Sequence, residues 1–340
     1  MIDDLNTFSK NRKLIHDIEE NLSDLITEFQ NIKNLRDLSV NDERFNVAIK
    51  SFYNLFSFVP ILMTYLNPSD KYIFRARSND EKNILYTRKD EISYNQNFDK
   101  IKAGRFNQPK QSVFYGTLPT EDSSITPYAA ACFETCKGLI DYENPVNLKD
   151  FTIGRWIIKQ PMYVANFCFD SVHLKGNKSM KEATEKFIAE IVNSLNKESS
   201  DFIIDFYTYL SEMSGKACLN KKEKNEYYIL TALFYSVQYY YKNNMQKMVY
   251  GLVYPGAGTE AKGLNIVLTS DAIDDFLELD LVVMYRFIRS GDTFSVYPCS
   301  KVGKYKEGKY LLSNFIRIPE NKYYTVECES EDCNPLKEIR

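Results

Sequence analysis

Histidine and tryptophan are almost missing from this chain, with His16, His173 and a single Trp in 340 residues. So few imidazoles make a serine–histidine hydrolase or a histidine-rich zinc site hard to build. The seven cysteines, at 132, 136, 168, 218, 299, 328 and 333, contain no C-x-x-C pair and no Cys/His metal spacing. Their odd number, together with no signal peptide, reads as reduced thiols in a cytoplasm. Cys132 and Cys136 fall on one helix face, and two small apolar core residues explain them better than a redox pair. No metal and no bound prosthetic group is expected.

Charge of one sign is also lacking. The 43 basic residues against 46 acidic ones leave a net charge of −3, with no overall basic field to hold nucleic acid. Long apolar runs are absent too. Phe52–Leu66, the best of them, contains Pro60 and polar residues and falls short of the roughly 20 that a membrane span needs. No G-x-G-x-x-G opens a helix after a strand, which disfavours a dehydrogenase, and no G-x-x-x-x-G-K-[ST] marks a P-loop. A soluble, cytoplasmic protein is expected.

What is present is a globular composition, 44% apolar and 26% charged, with 25 Tyr and 22 Phe supplying the aromatic contacts. Ile15, Ile18, Leu22, Leu25, Phe29 and Ile32 recur at helical spacing, predicting a helix packed on its own domain. A coiled-coil homodimer is the other arrangement this pattern allows. Glu43–Tyr65 reads as a second helix, kinked or ended by Pro60. A turn at Asn67-Pro68-Ser69-Asp70 then closes an N-terminal helical module, residues 1–68.

Lys71–Arg77 alternates like a strand, 79–97 reads as a loop or short helix over the site, and Val113–Gly116 is a short buried strand. Tyr128–Gly138 is helical, and Phe151–Phe169 reads as paired strands broken at Gln160-Pro161. Lys181–Asn196, Asp201–Ser214 and Glu223–Asn243 are helical runs, the last apolar around much of its circumference. Strands follow at Met248–Tyr254 and Asn265–Leu268, then a hairpin of Leu281–Arg289 with Thr293–Tyr297, then an edge strand and charged tail from Arg317. Strands separated by runs of helices argue α+β and not a regular βαβ alternation. The expected division is 1–68, a catalytic domain at 69–290, and C-terminal strands at 291–340.

Chemistry-bearing residues concentrate between Phe74 and Glu134. Arg75 and Arg77 share one strand face, as solvated charge or as guanidinium forks for phosphate oxygens. Strand-like Gly104-Arg105-Phe106-Asn107 adds a third arginine beside a glycine that permits a tight turn or close approach to ligand. Tyr115, next to Gly116, is either a core tyrosine or a ring that stacks on a base. Glu134 follows Ala129-Ala130-Ala131-Cys132-Phe133 and is either an exposed helix-face acid or a partly buried functional one. Breaking a C–N glycosidic bond builds oxocarbenium character on a ribose, which one carboxylate beneath that carbon stabilises. Fixed guanidinium groups with one such acid suit a dinucleotide.

The order Arg…Gly-Arg-Phe-Asn…Tyr-Gly…Ala-x-x-x-Glu, followed by Tyr250-Gly251-Leu252-Val253-Tyr254-Pro255 and Gly263-Leu264-Asn265-Ile266-Val267-Leu268, resembles the RES-domain family. The likeness runs from about Tyr72 to Leu268. It implies an ADP-ribosyltransferase-like split mixed sheet with surrounding helices, and an enzyme that consumes NAD as substrate, usually the toxin of a toxin–antitoxin pair. Arg75 and Arg105 would hold the pyrophosphate, with Arg77 and Asn107 in the same binding group. Tyr115 would pack on the nicotinamide riboside end, and Glu134 would be the essential acid. The family places a serine after Tyr-Pro, where this chain has Gly256. A glycine cannot supply that hydroxyl, so Thr259 or water would have to, or turnover is lost and a nucleotide-binding or regulatory protein remains. An antitoxin or regulatory partner is implied, and the N-terminal helices are a candidate for that contact.

Overall fold

The computed structural model describes residues 8, 11–35, 43–68, 72–79, 86, 88–120, 126–139, 141, 145–169, 171–174, 176–216, 227–257, 263–291, 293–299, 303–306 and 309–310. The chain is mixed α+β. Helices α1 (Arg12–Glu20), α2 (Leu22–Asn34) and α3 (Glu43–Phe56) precede strands β1 (Met63–Leu66) and β2 (Tyr72–Ser78). Short α4 (Lys89–Ile92) leads to β3 (Val113–Leu118), α5 (Pro127–Thr135), β4 (Leu148–Ile158) and β5 (Met162–Asn166). Then come α6 (Ser171–Leu174), α7 (Lys178–Ser194), α8 (Lys197–Gly215) and α9 (Tyr227–Tyr240). Strands β6 (Gly251–Pro255) and β7 (Leu264–Thr269), helix α10 (Ser270–Phe276), and β8 (Leu277–Ser290), β9 (Thr293–Pro298), β10 (Gly303–Lys306) and β11 (Lys309–Tyr310) complete it.

Asparagines start three of these helices. Asn11, Asn177 and Asn196 each accept a backbone N–H with the side chain, from Leu14, Met180 and Ser199. Asn21 breaks the first predicted helix into α1 and α2: its Nδ2 donates to the Asp17 carbonyl at 2.7 Å and closes that turn. Both helices pack on their own chain, with the Phe29 ring edge-on to Phe202, Phe206 and Tyr209 of α8. One apolar core joins α1–α3 to α8, α9 and one sheet face. In α9 the run Ile229–Phe234 is buried, and Ser236 Oγ reaches the Ile49 carbonyl of α3 at 2.8 Å.

Eleven described strands form one sheet in the order β1-β5-β6-β7-β3-β2-β4-β8-β10-β11, with β9 also on β8. Only the β5–β6 pair is parallel among them. The joint between β3 and β2 is nearly open. There Phe74↔Thr117 is the single paired position, whereas β2 pairs β4 from Tyr72 to Ser78 and β3 pairs β7 from Val113 to Leu118. The sheet is thus two well-paired halves meeting at one residue pair.

Three sequence expectations are corrected. The helix from Glu43 stops at Phe56, ahead of Pro60, and Met63–Leu66 is an edge strand on β5. The two strands around Gln160-Pro161 do not pair with each other: β4 lies between β2 and β8, β5 between β1 and β6. Gly104–Asn107 is a turn and not strand-like, closed by the Gly104 N–H on the Asn107 carbonyl at 3.1 Å. The hairpin of β8 and β9 forms as expected across Gly291, whose φ is +60°. The tail from Arg317, Thr259 and cysteines 218, 328 and 333 lie outside the described residues. Among those residues no helix is long and apolar enough to cross a membrane.

Candidate functional site

Helix α5 lies across the open joint. At its start Thr117 Oγ1 of β3 donates to the Pro127 carbonyl at 3.0 Å. At its end the one proton of Thr135 Oγ1 is shared between the Ala131 carbonyl of the helix at 2.7 Å and the Ala76 carbonyl of β2 at 3.1 Å. The small residues Ala129, Ala130, Ala131 and Cys132 let it sit close, over Phe74 and Ala76, and Glu134 is half-buried near its last turn. Of the two sequence readings of Glu134, an exposed helix-face acid and a partly buried functional one, the structure bears on exposure alone, and the side chain is half-buried.

Tyr115 projects from β3 on the face that carries α8 and α9 and locks the 104–107 turn. Its hydroxyl accepts the Phe106 N–H at 2.8 Å and donates to Asn107 Oδ1 at 2.9 Å. The Asn107 Nδ2 donates to the Lys102 and Gln108 carbonyls, so this side chain is fully used. A Cβ on Gly104 would stand 2.3 Å from Asn107 Oδ1 and 3.0 Å from the Tyr115 hydroxyl, which is why glycine is needed there. Burial pushes the Tyr115 phenol well above its ordinary value.

Arg105 is buried and caps the end of α8. Its Nη1 donates to the Ser214 carbonyl at 2.9 Å and its Nη2 to Lys216 at 3.3 Å, a favourable place for a cation at a helix C-terminus. The guanidinium lies 5.5 Å from the Tyr227 ring centroid and 5.4 Å from that of Tyr254. Burial disfavours its charge, but Tyr254, Glu134 and Tyr227 outweigh that and raise its pKa above the ordinary value. Burial likewise drives the Tyr254 phenol up, with Arg105 opposing and Glu134, Tyr115 and Tyr227 reinforcing. Residues 105, 115, 134, 227 and 254, from five separate elements, therefore share one electrostatic neighbourhood.

Arg75 and Arg77 lie on the other face of the sheet, although Arg75 interacts electrostatically with Tyr115. Strand alternation puts them on the face opposite Phe74 and Ala76, which pack under α5. Arg75 sits at the open joint: Nη1 donates to the Tyr115 carbonyl at 2.8 Å, and the guanidinium covers the Phe114 ring at 4.8 Å. It supplies a bond that strand pairing does not make there. Desolvation, then the Arg77 charge, lowers its pKa to about 10. Arg77 donates to the Glu91 carbonyl and lies over Tyr86 at 4.9 Å. Gly256 is buried just past β6, its N–H on the Gly263 carbonyl at 2.8 Å, closing β6 against β7.

Three residues gain weight from the structure. Tyr227 and Tyr254 flank Arg105, though nothing in an aromatic-rich sequence separated them from core tyrosines. Asn265 is the third. It pairs with Thr117 on one side and Tyr254 on the other, so all three project to the same face. It is 1% exposed, yet among the described residues neither its Oδ1 nor its Nδ2 has a hydrogen-bond partner. The available signal was a lone amide inside the apolar strand Leu264–Leu268. A cleft of about 430 Å³ lies at the other end of β3, between Phe98, Lys110, Val113 and Asp271, and no candidate residue lines it.

Among the described residues no group of three or more His, Cys, Asp or Glu is placed to hold a metal. No family model matches the chain, and no similar sequence is found among curated proteins.

Proposed function

We propose that this chain consumes NAD by cleaving the nicotinamide–ribose bond, as an enzyme of RES type. The observation that carries the proposal is Arg105 packed against the Tyr227 and Tyr254 rings, with the charge of half-buried Glu134 acting on Arg105 and Tyr254 and with Tyr115 coupled to Arg105. A carboxylate in electrostatic reach of a tyrosine and a fixed cation suits an aromatic base leaving a ribose that becomes positive. Glu134 stabilises the ribosyl cation, and the tyrosines frame the base and sugar. Arg105, held by the carbonyls that end α8, is a fixed positive charge for the pyrophosphate side. Arg75 acts from the open joint by holding the backbone of Tyr115, and Arg77 and Asn107 act through the segments they bond. The near-interruption of the sheet at Phe74↔Thr117 supports the finer fold reading, an ADP-ribosyltransferase-like split sheet. The acceptor is water, phosphate or a protein side chain, and nicotinamide is the common product. A toxin-like enzyme working in the cytoplasm would need an antitoxin or another restraint.

One observation favours a second reading, a nucleotide-binding or regulatory protein without turnover. Gly256, at the family's serine position, offers no hydroxyl, and its N–H is committed to Gly263. The deciding experiment measures nicotinamide release from NAD by the full chain, with and without phosphate, beside Glu134→Gln. Release that vanishes in the variant supports the enzyme, and phosphate dependence identifies phosphorolysis. NAD binding without release supports the second reading, and neither binding nor release removes both.

A further inference from the structure

Asn265 has no role in folding that its surroundings explain. It is buried within an otherwise apolar strand, it projects with Thr117 and Tyr254 and away from the face of Leu264, Ile266 and Leu268, and a buried amide left unpaired destabilises the fold. The hydroxyl beside it does not help: Thr117 Oγ1 turns its one proton to the Phe74 and Pro127 carbonyls, and it makes no hydrogen bond with either polar atom of the Asn265 amide. A leucine or valine there would keep the strand and avoid the penalty.

What the amide offers is one donor and one acceptor side by side, with no charge. A ligand edge that satisfies both must carry an acceptor and a donor at the same spacing. In a dinucleotide such edges are the nicotinamide carboxamide and the amino edge of adenine. Asn265 is the register partner of Tyr254, whose phenol lies in the electrostatic reach of Glu134 and Arg105. The ligand end that belongs beside Glu134 is the one whose glycosidic bond breaks, and that end carries the carboxamide.

We infer that Asn265 is a specificity-determining residue that pairs through its amide with the carboxamide of a nicotinamide ligand and so excludes the corresponding carboxylate. The inference rests on the NAD reading and adds to it the orientation of the dinucleotide, base end against β7. A carboxylate presents two acceptors and no donor, so it leaves the Asn265 oxygen unpaired and brings a charge into a buried place. The amide is covered, so a ligand has to displace a neighbouring side chain to reach it, and association slower than simple docking is expected.

The test measures calorimetric binding of NAD, nicotinic acid adenine dinucleotide and nicotinamide hypoxanthine dinucleotide to the full chain, wild type and Asn265→Leu, with the melting temperature of each protein. Wild type is expected to bind NAD and the hypoxanthine analogue alike and the acid analogue roughly tenfold or more weakly. Asn265→Leu is expected to melt at or above the wild-type temperature and to lose that preference. Three results would overturn the inference: a preference that survives in the leucine variant, a wild-type preference against hypoxanthine instead of the acid, or a marked drop in melting temperature that reveals a structural partner. If the wild type releases nicotinamide while any of these holds, the inference falls alone. If it binds none of the three dinucleotides, the NAD reading falls with it.

Discussion

The Arg75 guanidinium donates to the Tyr115 carbonyl at 2.8 Å, bridging β2 and β3 where their backbone ladder has stopped at Phe74↔Thr117. A side chain thus does what strand pairing does elsewhere in the sheet, and it also covers Phe114. Arg75→Met keeps most of the packing and removes the bond. It is expected to lose about 1.5–3 kcal/mol in urea unfolding, the range for a hydrogen bond to a charged group. An unchanged denaturation midpoint would show that the joint does not depend on this bond.

Tyr115→Phe strips the hydroxyl from both the Phe106 N–H and Asn107 Oδ1. Gly104→Ala forces a Cβ against the same two side chains. Each change is expected to cost about 1–3 kcal/mol. The double variant should cost less than the sum, because both disturb one hydrogen-bonded knot. Strict additivity in a double-mutant cycle would mean that the turn and the tyrosine are independent.

The N-terminal helices share the core of the rest of the chain, with Phe29 against three rings of α8. Phe29→Ala is expected to lose about 3–5 kcal/mol. Deleting residues 1–56 should leave an insoluble or unfolded product. A soluble truncated chain with a cooperative unfolding transition would contradict this, and would support these helices as a separable module.

Tyr94 donates to Asp274 Oδ2 at 2.8 Å, and that bond, with a smaller contribution from burial, raises its pKa to about 12. A raised phenol pKa means that the folded state keeps a proton the unfolded chain has lost. The contribution is therefore fully present below about pH 10, the unfolded value, and is lost as pH rises through about 12. Chemical unfolding of wild type and Tyr94→Phe across this range should give a constant stability gap at neutral pH that closes under alkali. A gap independent of pH would rule out this linkage.

Much of the local structure was legible in the residues. Helices α7, α8 and α9 follow their apolar spacing, and β8–β9 follows its alternation around Gly291. Errors came where a local pattern ran past a boundary it could not show. Phe52 to Leu66 is one apolar run, but only tertiary pairing with β5 turns its end into a strand. Around Gln160-Pro161 two adjacent strands look like a hairpin, yet β2 and β8 claim one while β1 and β6 claim the other. Arg75 and Arg105 are equal by residue type, yet strand alternation puts Arg75 on the face away from Phe74 and Ala76, whereas Arg105 sits in a turn and reaches the end of α8.

By itself the sequence determined the fold class, the helix periodicities, the poverty in histidine that disfavours imidazole chemistry, and the stretch from Phe74 to Glu134 as the place to look. Those are properties of composition and of neighbours along the chain. Only the tertiary structure decided that β2 and β3 meet at one residue pair, that α5 crosses the gap and the Glu134 charge acts on Arg105, and that Asn265 is buried beside Tyr254 with no partner among the described residues. The physical reason is that strand order and register are fixed by pairings between residues far apart in the chain, which no local window contains.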